Sequence, residues 1–318
     1  MQILDHPPMT WREDQRVAWP MKKLGHAQLG AREGAMLYYL ARDWASGARP
    51  LVELGSFLGG SASLTGAGLK DNPLWNGQTK LHCFDIFEAK YGNMAEFIRT
   101  RVDPDFEAGQ NFQYLFDAQT AEVSEAIEVH RGDLMQASWS GGEIDMLFVD
   151  IAKTPDLNRI TLQRFLPALR VETGLLVNQD FHNPDNPWIH TSLGFLSSHF
   201  ELIEPRADDS ILLRLVRPIP PEALREAGRF EDLPDEEAMN RVNRLMSLLR
   251  QNDAEPAMSS WSAPGCRFAP ATARRGAPRS RRRWPATARG IPRPISSGSG
   301  GQTRCRRWRD PSGLISLT

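Results

Sequence analysis

Cysteine is scarce in this 318-residue chain, which has Cys83, Cys266 and Cys305 and no others. Three thiols so widely spaced exclude a disulfide framework and a cysteine-rich zinc site. Cys83 lies in an apolar run, so a buried structural thiol without chemistry is expected there. No run of about 18 apolar residues occurs, so no membrane-spanning helix is expected. The N-terminus lacks a basic segment followed by an apolar stretch, so no secretory signal is expected either. These absences lead to the expectation of a soluble, cytoplasmic protein.

Lysine is missing from the last part of the chain. From Trp261 to Thr318 there are about 13 Arg, no Lys and one acidic residue, so a net charge of -1 leaves residues 1–260 about 13 charges negative. This tail is rich in Arg, Pro, Ala, Gly and Ser and has no sustained hydrophobic period, so disorder is expected over 258–318. Its Arg and Trp suit phosphate neutralisation and base stacking. The same composition also fits a frameshifted, GC-rich reading frame. The acidic body argues against nucleic acid as a partner.

The rest of the chain alternates strand and helix patterns. Met36, Leu37, Leu40 and Trp44 recur at helical spacing, with Gly47 as a stop. Apolar runs at 50–54, 80–85, 127–130, 144–150 and 174–180 read as strands, and their continuity suits strands covered on both faces of a parallel sheet. Two further strands, 200–203 and 210–215, are separated by too few residues for a helical crossover and should be antiparallel. After Pro234, Met239, Val242, Met246 and Leu249 share a helix face, as expected of a packing or homodimer helix. The fold class is therefore α/β: a doubly wound, Rossmann-like, seven-stranded sheet, mostly parallel, with a C-terminal antiparallel hairpin. The expected divisions are an N-terminal helical segment (1–48), the sheet domain (49–217), a helical appendage (218–257) and the tail (258–318).

In an open α/β sheet the ligand lies outside the carboxyl ends of the strands. Glu53, Asp85, Asp133, Asp150 and Asp180 all fall at or near such ends. Gly55, Gly59 and Gly60 lie between the first strand and the next helix, where the lack of a Cβ permits a sharp turn and a close ligand. A dinucleotide turn wants glycine where Phe57 stands and a ribose acid sooner than Asp85. A phosphate loop wants a lysine, but the sequence has Gly59-Gly60-Ser61. The expected ligand lacks a pyrophosphate.

The order Glu53-x-Gly55-x-x-x-Gly59, then Asp85, then His130-Arg131-Gly132-Asp133, then 145–150, resembles the class I S-adenosylmethionine-dependent methyltransferases over about residues 30–217. The resemblance implies S-adenosylmethionine as cofactor, with Asp85 on the ribose hydroxyls and Asp133 near the adenine amino group. Leu134 or a neighbour would pack on the adenine ring. Gly55 and Ser56 would face the methionine portion, and Glu53 would hold the loop or the amino group.

Within the class, Phe148-Val149-Asp150 and Leu176-Val177-Asn178-Gln179-Asp180-Phe181 resemble O-methyltransferases of sugars and natural products. Many of these hold a divalent metal, such as Mg2+, with one aspartate after the fourth strand and a pair after the fifth. Asp150 and Asp180 match two of the positions and Gln179 stands at the third, which weighs against a tightly bound metal. If a hydroxyl is the acceptor, Lys153 is the candidate base, its pKa lowered by burial and by the sulfonium. Asp150 and His182 are the alternatives. Residues 183–190 read as a proline-punctuated loop whose Trp188 could shape the pocket of a small-molecule acceptor. Two rival functions follow from the same residues: a non-catalytic binding protein that keeps the fold, and a nicotinamide-dependent oxidoreductase.

Overall fold

The structure, a computed structural model, describes residues 7, 9–12, 28–90 and 92–250. The tail expected to be disordered lies outside them. All described residues belong to one compact unit, Met1–Cys266.

The chain enters through α1 (Ala31–Tyr39), which runs on as a wider turn over Leu40–Trp44, and then forms β1 (Leu51–Leu54). Next come α2 (Gly60–Asp71), β2 (Leu81–Asp85), α3 (Gly92–Arg101), α4 (Gln113–Thr120) and β3 (Ile127–Arg131). They are followed by β4 (Met146–Val149), α5 (Pro155–Ile160), β5 (Leu175–Asn178), α6 (Pro187–Phe195), β6 (Phe200–Ala207) and β7 (Ser210–Leu215). Helices α7 (Pro221–Ala227) and α8 (Asp235–Arg250) close the described part.

The seven strands form one sheet in the order β3-β2-β1-β4-β5-β7-β6. Strands β1 to β5 are parallel, and β7 runs antiparallel to both β5 and β6. The expected fold class is the one observed. Strand β6 extends further than expected, through Pro205 to Ala207, and leaves only Asp208 and Asp209 as the turn.

Side chains alternate across the central strands as the pleat requires. Leu51, Met146, Phe148, Leu175, Val177 and Leu212 face one apolar layer with α1 and α2. Val52, Leu54, Leu147, Val149, Leu176 and Leu213 face the other, which includes Ile189, Leu193, Leu245 and Leu249. Each such side chain, taken from water, contributes about 1.5–3 kcal/mol before chain entropy is subtracted. Small residues bring α2 against α1, since a Cβ at Gly68 would lie 2.2 Å from the Tyr38 carbonyl oxygen.

The last helix is a packing helix on α6, and of the expected face Val242 and Leu249 are buried and Met246 packs half-buried on the core. Ala238, Arg241, Val242, Leu245 and Leu249 are buried, while Met239 is exposed. Arg241 is only 1% exposed and donates to Glu237 and Glu226, with its guanidinium over the Phe195 ring. Among the described residues, no helix is long and apolar enough to cross a membrane.

Candidate functional site

The turn from β1 into α2 opens at Gly55, where φ is +93°. A Cβ there would lie 2.5 Å from the Asp150 carbonyl oxygen, at the end of β4. Gly59 has φ +86°, and a Cβ there would meet Thr120 Cγ2 at 2.8 Å. The expected reason for these glycines was a closely approaching ligand. The atoms nearest them are instead the chain's own, and the left-handed backbone adds a second requirement.

Between the two glycines, the amide of Phe57 donates to Asp85 Oδ2 at 2.9 Å, and that of Phe87 to Oδ1 at 2.6 Å. Both phenylalanines have positive φ, an uncommon state for an aromatic residue that the surroundings must hold in place. Asp85 is thus pinned at the carboxyl end of β2. Burial raises its pKa against the pull of these amide hydrogen bonds. The amides of Ser56 and Ile86 add to this pull.

Glu53, fully buried in β1, accepts a hydrogen bond from Ser61 Oγ at 2.5 Å. Burial, with help from the charges of Asp150 and Asp85, pushes its pKa up to about 8 despite that hydrogen bond. Glu33 on α1 is likewise buried and pushed up to about 8, chiefly by desolvation, and it accepts from the Ser210 hydroxyl. The carboxylate of Asp208, at the β6–β7 turn, caps α1 by accepting from the amides of Arg32 and Glu33.

The glycine turn, the start of α2 and Asp150 line a pocket with Gln28 and Leu29, the residues just before α1. Gln28, Leu29 and Glu33 escaped the sequence reading because no local pattern marks a segment that reaches the site only by tertiary packing. Gly55, Ser56 and Asp150 stand in the pocket wall beside Phe57, Leu58, Gly60 and Ser61.

Asp133 follows β3 and folds back on its own turn, accepting from the Met135 amide at 3.0 Å. Leu134 points into the core with Ile144 and Phe84 and is only 7% exposed. Met135, its half-buried neighbour, packs against the same core.

Lys153 departs from the expectation of a base with a lowered pKa. Its Nζ donates to Asp150 Oδ1 at 2.7 Å, to Gln179 Oε1 at 3.1 Å and to Asp180 Oδ2. Burial favours the neutral amine, but the two carboxylates outweigh it and hold the pKa well above the ordinary value. Asp150 moves the other way from an ordinary carboxylate. Burial, reinforced by Asp180, raises it to about 6 even though Lys153 pulls it down.

A divalent metal does not fit this arrangement. Asp150, Gln179 and Asp180 do converge, but their oxygens meet on the ammonium of Lys153, and glutamine supplies no charge. His182 is a poor candidate as well. It is half-buried, its Nε2 sits 3.0 Å from the Pro205 carbonyl oxygen, and burial lowers its pKa.

The expected loop at 183–190 is partly helix, because Pro187 occupies the first turn of α6, where its missing N–H costs nothing. Trp188 donates from Nε1 to the Ala152 carbonyl oxygen at 2.6 Å, next to Lys153. His190 is fully buried against the Phe181 carbonyl oxygen, with its pKa lowered to about 4 by desolvation. Cys83 is buried, as expected, and its thiol is pushed up by burial.

This site sits at the carboxyl ends of parallel strands, around a glycine turn fixed by an acid on the next strand. It defines the class of nucleotide-binding α/β enzymes. Residues 52–181 match the family described as methyltransferase domain. No curated protein matches the sequence.

Solved structures to which the chain is similar include the O-methyltransferase NovP, 14% identical over 60% of this chain and 83% of that one, with TM-score 0.46. Another is apo CalS11, a TDP-rhamnose 3'-O-methyltransferase of calicheamicin biosynthesis. It is 15% identical over 57% of this chain and 76% of its own, with TM-score 0.40. A third is the O-methyltransferase from Bacillus cereus in complex with SAH, 15% identical over 66% and 92%, with TM-score 0.38.

Proposed function

We propose that this methyltransferase moves the methyl group of S-adenosylmethionine to a hydroxyl oxygen of a small acceptor, a sugar or secondary metabolite, in the cytoplasm. The reading rests on one juxtaposition: Asp150 is at once a wall of the pocket at the glycine turn and a partner of the Lys153–Asp180 cluster. The methyl donor and a proton-accepting carboxylate would therefore meet at one point.

The donor set suits the cofactor. S-Adenosylmethionine brings an electrophilic methyl on a sulfonium, together with an ammonium and a ribose. Asp85 and Asp150 bring carboxylates to the site, and a cation is the ligand such a setting favours. Asp85 takes the ribose hydroxyls, Gly55 and Ser56 face the methionine portion, and Asp133 takes the adenine amino group with Met135 on the ring.

Orientation carries most of such a transfer. Asp150 takes the acceptor's proton as its oxygen gains the methyl, and S-adenosylhomocysteine departs as the neutral product. Lys153 holds Asp150 in place and keeps it ionised. Trp188, fixed to the Ala152 carbonyl oxygen, closes the wall beside them. The surplus of negative charge over residues 1–260 favours a neutral small acceptor over a polyphosphate.

The experiment is transfer of radiolabel from methyl-labelled S-adenosylmethionine to a panel of sugars, phenols and hydroxylated metabolites, with Asp150→Asn as control. Label on an acceptor oxygen, lost in the variant, supports the reading. Label on nitrogen or carbon, or none on any acceptor despite cofactor binding, contradicts it.

A further inference from the structure

Three side-chain oxygens from two strand ends converge on one nitrogen. Asp150 follows β4 and Gln179 and Asp180 follow β5, and the Lys153 ammonium donates to all three. An ammonium has three N–H donors and no acceptor, so the match of three donors to three oxygens is complete.

We infer that the ammonium of Lys153 is a resident cation standing where a divalent metal ion would otherwise sit, so that this site works without metal. The inference rests on the methyl-transfer reading for its purpose but not for its geometry. Two features of the chain agree on it. The first is occupancy: a Mg2+ ion wants about six oxygens at about 2.0–2.1 Å, and it would have to expel an ammonium already held by two carboxylates and repel it at close range.

The second is charge. Three carboxylates around a divalent ion leave a net charge of -1, and so do two carboxylates and a glutamine around an ammonium. Gln179 is thus the residue that fits a monovalent cation, and it belongs with Lys153. Each substitution alone would unbalance the site, whereas the two together preserve its charge.

The consequence for the reaction is that Lys153 acts as a positioning residue. With its three donors committed and two carboxylates stabilising its charge, it orients Asp150 toward the pocket and offers its field to an acceptor oxygen as the proton leaves. No exchangeable ion has to be loaded before turnover.

The test uses the full chain and Mn2+ as probe, read by the paramagnetic resonance signal of free Mn2+, with no cofactor or acceptor present. The wild type is expected to leave Mn2+ free into the millimolar range. The double variant Lys153→Met, Gln179→Asp should take up one Mn2+ per chain at least 10-fold more tightly than wild type, and adding Asp180→Asn should abolish that uptake. Lys153→Met alone should show weaker uptake, and it serves as the second arm if the double variant does not fold.

Stoichiometric Mn2+ binding by the wild type that Asp180→Asn removes would overturn the inference. So would a folded double variant that binds none. A separate titration with S-adenosylhomocysteine keeps the two readings apart: its failure alongside the expected Mn2+ result would sink the transfer reading and leave the resident cation standing.

Discussion

Gly55 and Asp150 touch through their backbones, so closely that a Cβ on Gly55 would stand 2.5 Å from the Asp150 carbonyl oxygen. The glycine turn of the cofactor pocket and the carboxylate proposed as base are therefore one rigid unit across the ends of β1 and β4. Gly55→Ala must strain a φ of +93° and displace Asp150 together. A loss of about 2–4 kcal/mol of stability is expected, with a lower Tm and S-adenosylhomocysteine affinity down at least 10-fold. Thermal melting and calorimetry check both.

Asp85→Asn leaves the size unchanged but replaces an oxygen acceptor of the Phe57 or Phe87 amide by an NH2 donor. Loosening of the turn and weaker ribose contacts should lower S-adenosylhomocysteine affinity by about 10–100-fold, or about 1.4–2.8 kcal/mol. An unchanged dissociation constant would remove Asp85 from the site.

Glu33 and Glu53 titrate near 8 in the folded chain against 4.5 in the ordinary state. Between these values the folded state binds more protons than the unfolded one, so stability falls as pH rises through that window. Tm should decline from about pH 5 to pH 8, and Glu53→Gln should flatten that decline. A Tm that rises across this range would contradict the buried, protonated carboxyls.

Asp150 must be ionised to accept a proton, and its pKa is raised to about 6. The rate should therefore climb through about pH 6 and level off above it. Asp150→Asn should lower kcat by about 10^2–10^4-fold. Lys153→Met removes the cation that pulls Asp150 down, so the surviving activity should show its ascending limb at higher pH. A merely structural role for Lys153 would lower the rate without moving the limb.

Most of the fold was legible because parallel strands covered on both faces read as unbroken apolar runs. The same property blurred their ends: Ile144, Gln179 and Asp180 prolong the apolar or acidic pattern but lie outside β4 and β5. The face of α8 was legible at Val242, Met246 and Leu249, which pack on the core, but Met239 is exposed and Arg241 is buried, which only its partners Glu226, Glu237 and Phe195 make tolerable.

At the site, Asp85, Gly55, Ser56 and Asp150 stood out by spacing. The raised pKa of Lys153 did not, because it depends on Asp180, which is 27 residues away in sequence and delivered by the neighbouring strand. The segment before α1 gave no signal at all.

Arg241→Ala should destabilise the chain by about 1–3 kcal/mol, because the buried side chain loses its packing and its charged hydrogen bonds, while Glu226 and Glu237, each about a third exposed, regain water. The loss should appear in Tm while S-adenosylhomocysteine affinity per folded molecule stays unchanged, since α8 packs on α6 away from the glycine turn.

The most direct test of the central claim is calorimetric titration of the full chain with S-adenosylhomocysteine, alongside folded Asp85→Ala. The account predicts one site per chain with micromolar affinity, lost in the variant. A folded wild-type protein that takes up no S-adenosylhomocysteine would contradict it.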